Sequence, residues 1–455
     1  MNRGKSNPAA GQAWVRPAEI ALGWLLACLV LGGSSNGGAF ANLLLQCGAA
    51  VVIAAAIWRG PDQTWARSER QLVMLFAGLV VWIGLTLVPL PPWLWTSLPG
   101  RGFVADGYRL LGMNLPWLPI SLTDDRTLRS ALALLVPVAT YLTVQPLDAR
   151  ARLRVAALIA GFALVSVALG MAQLASGQES PLRFYAATNR GSPVGFFANT
   201  NHFATLLLVA VPLLFAAALG LRRKAKRGKV QSEWQPVALA CLALLALGLV
   251  LSGSNAAVVL LVPSLAGALL LGPLRRLADN PFAIRLLGLA AVAAVVLVAL
   301  STMTGVLQQR VGVSATSREQ VTGQTLTAAR DYLPVGSGLG SFSAIYLKHS
   351  GGEKSASEWM NHAHDDAAEV LLELGLPGLL LMLGFLLWLA RAVWRAWLPA
   401  RADQSDPLIR AAALGLVLVS THSLVDYPLR SAAMAAVFAA LLALVASPLV
   451  EEPKP

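Results

Sequence analysis

The sequence predicts an all-α integral membrane protein of about 12 transmembrane helices, with a large periplasmic loop between helices 9 and 10. Three observations predict it. Of 455 residues, 56% are hydrophobic and only 13% are charged, with mean hydropathy +0.64. A soluble domain carries about 25% charged residues, so an ordinary soluble enzyme and a disordered chain are both excluded. The apolar residues also fall in runs of membrane-spanning length. Finally, the charge between those runs alternates in sign.

The runs lie at 18–33, 38–58, 71–89, 127–145, 155–175, 201–221, 236–252, 256–273, 286–304, 367–390, 409–425 and 431–448. Several contain Gly or Pro, which neighbouring helices can accommodate. The first follows Arg3, Lys5 and Arg16 without a small-residue cleavage site, so it reads as a retained helix. It ends at Gly32-Gly33-Ser34-Ser35-Asn36-Gly37-Gly38, a tight turn. The expected organisation is a cytoplasmic N-terminus over 1–17, helices 1–9 over 18–304 and a long outer loop over 305–366. Helices 10–12 follow over 367–448, and then a cytoplasmic tail over 449–455.

The net charge is +12 and the pI about 10.2, a balance that also suits nucleic-acid binding. Its placement argues otherwise. The N-terminus, 59–70, 146–154, 222–235, 274–285, 391–408 and the C-terminus, with their flanking helix ends, hold 23 Lys and Arg against 10 acids. The opposite side holds 12 against 13. The sharpest marker is Arg222-Arg223-Lys224-Ala225-Lys226-Arg227-Gly228-Lys229. Both termini are therefore expected in the cytoplasm, with the excess charge as a topological signal and an anchor for anionic lipid. The three cysteines, Cys28, Cys47 and Cys241, lie in apolar runs and give neither a disulfide framework nor a metal site.

Three outer segments are long enough to form a site: 90–126, 176–200 and 305–366. The first is rich in Trp and Pro (Pro91-Pro92-Trp93-Leu94-Trp95, Pro116-Trp117-Leu118-Pro119), as an anchor at the headgroups or the lining of a lipid groove. All five histidines, His202, His349, His362, His364 and His422, fall on this side. Histidine titrates near neutrality and is the commonest general base. Each is also explained as a polar residue at a wet helix end.

The segment from Asn361 to Gly378 is more pointed. It brings His362, His364, Asp365, Asp366, Glu369 and Glu373 to the start of an apolar helix. Ionisable groups at a membrane boundary are costly and so are functional candidates. Glu369 and Glu373, four apart, share one helix face. His-x-His beside Asp also admits a metal reading, but no further spaced ligands stand out.

The preceding stretch is cationic, with Arg310, Arg318 and Arg330 around a short helix from Ser317 to Tyr332. Ser317 and Gln320 form a capping-box pattern, which puts Arg318 in a first turn that attracts anions. Arginine offers a planar fork of donors for phosphate oxygens. The alternative is a solvated face with Glu319 as partner. Gly336-Ser337-Gly338-Leu339-Gly340-Ser341 lacks the strand and Lys-Ser/Thr of a nucleotide cradle, and reads as a tight turn back to the membrane. In Phe196-Phe197-Ala198-Asn199-Thr200-Asn201-His202-Phe203-Ala204, the Asn199, Asn201 and His202 side chains would either contact a sugar or phosphate or cap the helix.

Gly195 to Ala204 resembles the G-F-x-N-x-N-x-x-A opening of a helix in the bacterial O-antigen ligase and polymerase superfamily. Arg318 with Tyr332 to Phe342 is similar to its R…P-x-G-x-G-x-G-x-F segment, and His364 to Gly378 to its H-N…E-x-G-x-x-G signature. Pro119-Ile120-Ser121-Leu122-Thr123 before a helix also recurs there. The likeness covers roughly residues 90–390. It implies a multi-pass protein of the bacterial inner membrane that moves a glycan from an undecaprenyl-pyrophosphate carrier to an acceptor hydroxyl on the periplasmic face. Inversion at the anomeric carbon, without metal or other cofactor, is implied as well. An O-antigen ligase delivers to a glycolipid of lipopolysaccharide, and a polymerase to a growing polysaccharide. A lipid-linked glycan transporter without chemistry is the reading from another class. Membrane lipid is the remaining partner, and nucleic acid is not one.

Carried over residue by residue, the resemblance puts the essential histidine at His364 and the loop arginine at Arg318. His364 is expected to take the acceptor proton, with Asp365 or Asp366 orienting it. Arg318, with Arg310 and Arg190, is expected to meet the charge on the departing pyrophosphate. Asn199, Asn201, His202, Asp366 and Glu373 are expected around the substrate. The chain departs from the pattern twice. Asp365 follows the histidine where Asn is usual, which either raises its basicity or marks a different acceptor. Asn255 stands where Arg is expected.

Overall fold

The computed structural model describes residues 17–35, 39–60, 65–225, 234–271, 319–349, 361–397 and 406–447. Among these the regular structure is helical, apart from one bridge between Leu90 and Leu118. The helices are α1 (Pro17–Leu31), α2 (Ala39–Arg59), α3 (Arg67–Thr86), α4 (Pro92–Trp95), α5 (Gly102–Leu110), α6 (Asp124–Ala133), α7 (Leu135–Val144) and α8 (Ala149–Ala175). Then come α9 (Thr200–Ala225), α10 (Trp234–Ser252), α11 (Asn255–Leu269), α12 (319–330), α13 (Phe342–His349), α14 (Asp366–Trp397), α15 (Pro407–His422) and α16 (Ala432–Ala446).

Six helical stretches are long and apolar enough to cross a membrane: Phe40–Trp58, Arg67–Thr86, Asp124–Val144, Ala149–Ala175, Thr200–Leu219 and Asp366–Trp397. Five shorter apolar helices (Pro17–Leu31, Pro236–Ser252, Asn255–Leu269, Pro407–His422 and Ala432–Ala446) coincide with the other expected runs. The expected run 286–304, residues 226–229 of the basic cluster, Arg310 and Arg318 lie outside the described residues.

Helix starts follow local chemistry. Asp148 Oδ1 accepts from Ala151 N at 2.7 Å, Asp406 Oδ1 from Leu408 N at 3.0 Å, and Glu69 Oε2 from Ala66 N at 2.7 Å. Each satisfies a backbone donor that the first turn leaves open. α9 is the central helix and packs on α8, α10, α11 and α15, while α16 packs on α1, α7 and α15. Lipid tails are as apolar as leucine, so helices in a membrane associate through close packing of small residues. Ala411, Ala412 and Ala413 of α15 and Ala433, Ala436, Ala440 and Ala443 of α16 are buried accordingly. The Gly32-Gly33 turn is also a crossing point: Gly32 O accepts from Ala433 N at 2.9 Å and Gly33 O from Ala198 N at 3.0 Å.

A smaller core sits over one end of this bundle. Val321, Ala328, Ala329, Tyr332, Phe342, Ile345, Tyr346, Ala363 and Leu372 pack together in it. It joins α12 and α13 to the opening of α14, so part of the expected 305–366 loop is folded helix.

Candidate functional site

α14 is broken. Gly375 has φ +63° within it and Pro377 follows. Proline has no N–H, so the carbonyl of Glu373 loses its helical donor. The segment 334–338 supplies replacements. Gly338 N donates to Glu373 O at 2.8 Å, Ser337 N to Leu372 O at 2.9 Å, and Leu376 N donates to Pro334 O at 2.8 Å. Trp82 Nε1 caps Leu374 O at 3.0 Å. Gly336, at φ +82°, lies so close that a Cβ would stand 2.5 Å from Glu373 O. The Gly-rich stretch is therefore a backbone clip seated in a helix break, beyond the tight turn its sequence suggests. Arg101, itself buried, holds the clip from behind by donating to Pro99 O at 2.7 Å, Ile120 O at 2.5 Å and Gly336 O at 2.7 Å. Burial brings this guanidinium down to about 10.

The clip fixes the first two turns of α14, which carry the polar cluster. Asp365 Oδ1 accepts from Ala367 N at 2.9 Å and Ala368 N at 3.1 Å, so the expected orienting carboxylate is the helix cap. His364 precedes it at φ +56°, a backbone region that non-glycine residues seldom occupy. Its Nδ1 lies 3.2 Å from Oδ1 of Asp426, on the turn between α15 and α16. His362 Nδ1 lies 2.9 Å from Glu369 Oε1. The rings of His362, His364 and His202 stand 4.6, 4.9 and 5.3 Å from that of Tyr427.

Arg430 completes the cluster. Its guanidinium lies 2.9 Å from Glu369, 3.6 Å from Asp366 and 3.8 Å from Glu373. Glu373 Oε1 also accepts from Phe342 N at 3.0 Å. Burial alone would lower Arg430, but Glu369, Glu373 and Asp366 more than reverse it, so the guanidinium stays charged. Burial likewise would raise Asp426. The bond from His364 and the nearby charges of His202 and His422 outweigh it and hold the carboxyl at about 2.

The other expected site residues divide. His202 is fully buried against Tyr427, and among the described residues neither ring nitrogen has a hydrogen-bond partner. Asn199 Oδ1 accepts from Asn201 N at 2.8 Å, so the motif caps α9, and Thr205 Oγ1 lies 2.8 Å from His422 Nδ1, tying α9 to α15. Asn201 is half-buried at the same helix start. Arg190 is paired with Glu179 of its own loop. His349 lies apart from the cluster, with Nε2 3.0 Å from Asp331.

Asp426, Tyr427 and Arg430 escaped the sequence reading. Three polar residues crowded into the short turn between two apolar runs were the available signal. A buried carboxylate that fixes Nδ1 of a histidine leaves Nε2 as a proton acceptor. The arrangement therefore suits removal of a proton from a hydroxyl.

Residues 240–383 match a protein-family model described as O-antigen ligase. The matched stretch contains the clip, both dyad histidines and the acids of α14, while His202, Asp426 and Arg430 lie outside it. No curated protein matches the chain.

Proposed function

From the premise that this chain is a member of the O-antigen ligase and polymerase superfamily, we propose that it is a metal-independent, inverting glycosyltransferase of the ligase type. It moves a glycan from undecaprenyl pyrophosphate to an acceptor hydroxyl at the periplasmic face of the inner membrane. The contact between His364 and Asp426 carries this reading. Asp426 is ionised and can only accept, so Nδ1 holds the hydrogen and Nε2 presents a lone pair.

As the acceptor oxygen attacks the anomeric carbon, its proton passes to His364 Nε2. The bond from that carbon to the pyrophosphate oxygen breaks, and the oxygen leaves with the electron pair. Attack opposite the leaving group inverts the centre. General-base help of this kind is worth roughly 10²–10⁴-fold.

Three acids (Asp366, Glu369 and Glu373) face one guanidinium, Arg430, and Asp426 adds a fourth acid on the neighbouring turn, so this pole disfavours a pyrophosphate. The leaving group is met instead by Arg318, with Arg310 and Arg190, where a fixed cation offsets the developing charge. Polymerases share the chemistry and differ in acceptor. The test is a His364→Ala protein at wild-type abundance, given lipid-linked glycan. Loss of new glycosidic bonds is expected, and an undiminished rate removes the base assignment. In a deletion strain, loss of long-chain lipopolysaccharide with free polymer retained identifies a ligase. Single-repeat products identify a polymerase.

A further inference from the structure

We propose that His362 is a second substrate-touching imidazole of this site, whose Nε2 accepts a hydrogen bond from a sugar hydroxyl of the glycan. The proposal rests on the glycan-transfer reading. His362 repeats the geometry of His364: Nδ1 on a buried carboxylate, the ring against Tyr427, and a side chain 16% exposed beside 20% for His364. Among the described residues nothing bonds its Nε2.

The two dyads differ in how their carboxylates are used. Asp426 makes no ion pair with Lys or Arg among the described residues, so His364 feels its full charge. Glu369 accepts from Ala363 N at 2.9 Å and lies 2.9 Å from Arg430 Nη2, as well as holding His362. Glu369 is thus shared between His362 and Arg430, whereas Asp426 contacts His364 without a cationic partner of that kind among the described residues. An ionised carboxylate accepts only, so His362 keeps its hydrogen on Nδ1 and turns a lone pair outward. A lone-pair acceptor beside Asp366, Glu369 and Glu373 suits an O–H donor and rejects a phosphate. The recognised chemistry is thus a carbohydrate hydroxyl, of either donor or acceptor.

The competing explanation is that His362 merely braces Glu369. Two amides separate these roles by shape. The Asn amide nitrogen falls near the place of Nδ1, and the Gln amide near that of Nε2. His362→Asn keeps the brace and loses the outward group, whereas His362→Gln does the reverse. We expect His362→Asn to raise KM for lipid-linked glycan about 10-fold, the worth of one hydrogen bond, while His362→Gln stays nearer wild type. Rescue by Asn with failure of Gln overturns the proposal.

A second measurement does not need turnover. Full-length His364→Ala protein in nanodiscs is treated with diethyl pyrocarbonate, and carbethoxylation at residue 362 is read by mass spectrometry. The probes are undecaprenyl-pyrophosphate-linked glycan, undecaprenyl pyrophosphate without sugar, and a delipidated core oligosaccharide. Protection by the first but not the second is expected if the hydroxyl is the donor's, and protection by the third if it is the acceptor's. Equal labelling with every probe, or equal protection by sugar-free undecaprenyl pyrophosphate, overturns the proposal. Failure of the glycan-transfer reading would show elsewhere, as wild-type protein forming no glycosidic bond.

Discussion

His364 Nδ1 and Asp426 Oδ1 meet at 3.2 Å across 62 positions of sequence, one from the cap of α14 and the other from the turn between α15 and α16. Asp426→Asn should keep the shape and disrupt the tautomer, because the amide can donate where the carboxylate only accepts. A loss in kcat on the order of 10²–10⁴-fold is expected, by analogy with the orienting carboxylate of hydrolase triads. Normal kcat in purified Asp426→Asn protein would remove Asp426 from the mechanism.

The same carboxyl makes stability depend on pH. Its folded value of about 2 lies below the ordinary 3.8, so its contribution is present above pH 4. It is lost as pH falls through 2, and amounts to about 2 kcal/mol. Thermal unfolding of the detergent-solubilised protein between pH 5 and pH 2 should therefore fall less steeply in Asp426→Asn than in wild type.

Arg430 compensates three buried acids. Arg430→Met leaves them unpaired, and removing one partner of a buried ion cluster costs about 3–5 kcal/mol. Arg430→Lys should retain part of the stability but lose the fork that reaches Glu369 and Asp366 together. Equal melting of Arg430→Met and wild type would show that the cluster is solvated.

The clip is tested by two alanines. A Cβ at Gly336 meets the Glu373 and Gly375 backbone at 2.5–2.6 Å, while one at Gly161, inside α8, meets nothing within 4 Å. Gly336→Ala should lose at least about 1–3 kcal/mol, and activity with it. Gly161→Ala should melt like wild type or slightly higher. Differential scanning fluorimetry on both variants checks the contrast.

The helical, membrane-embedded class was legible because apolar runs and charge asymmetry are local properties. So was the stretch from His362 to Glu373, whose ionisable residues conflict with an apolar helix. Asp365 could not be told apart from the carboxylate that contacts His364, Asp426. Adjacency in sequence suggested that role, whereas the first-turn N–H groups of α14 claimed its oxygens. Asp426 and Arg430 were hidden for the converse reason, since only the docking of α15 and α16 brings them to His364 and Glu369. Nor did the Gly-rich segment reveal its use. Its partners are carbonyls freed by the helix break at Gly375 and Pro377, and such pairing follows from no spacing rule.

A ribosome makes His202 first, His364 and the acids of α14 next, and the turn from His422 to Arg430 after all of them. A message interrupted before codon 426 would yield a chain that holds the imidazole yet lacks the carboxylate that meets it. On the glycan-transfer reading, premature termination there should produce a silent protein, not a leaky one.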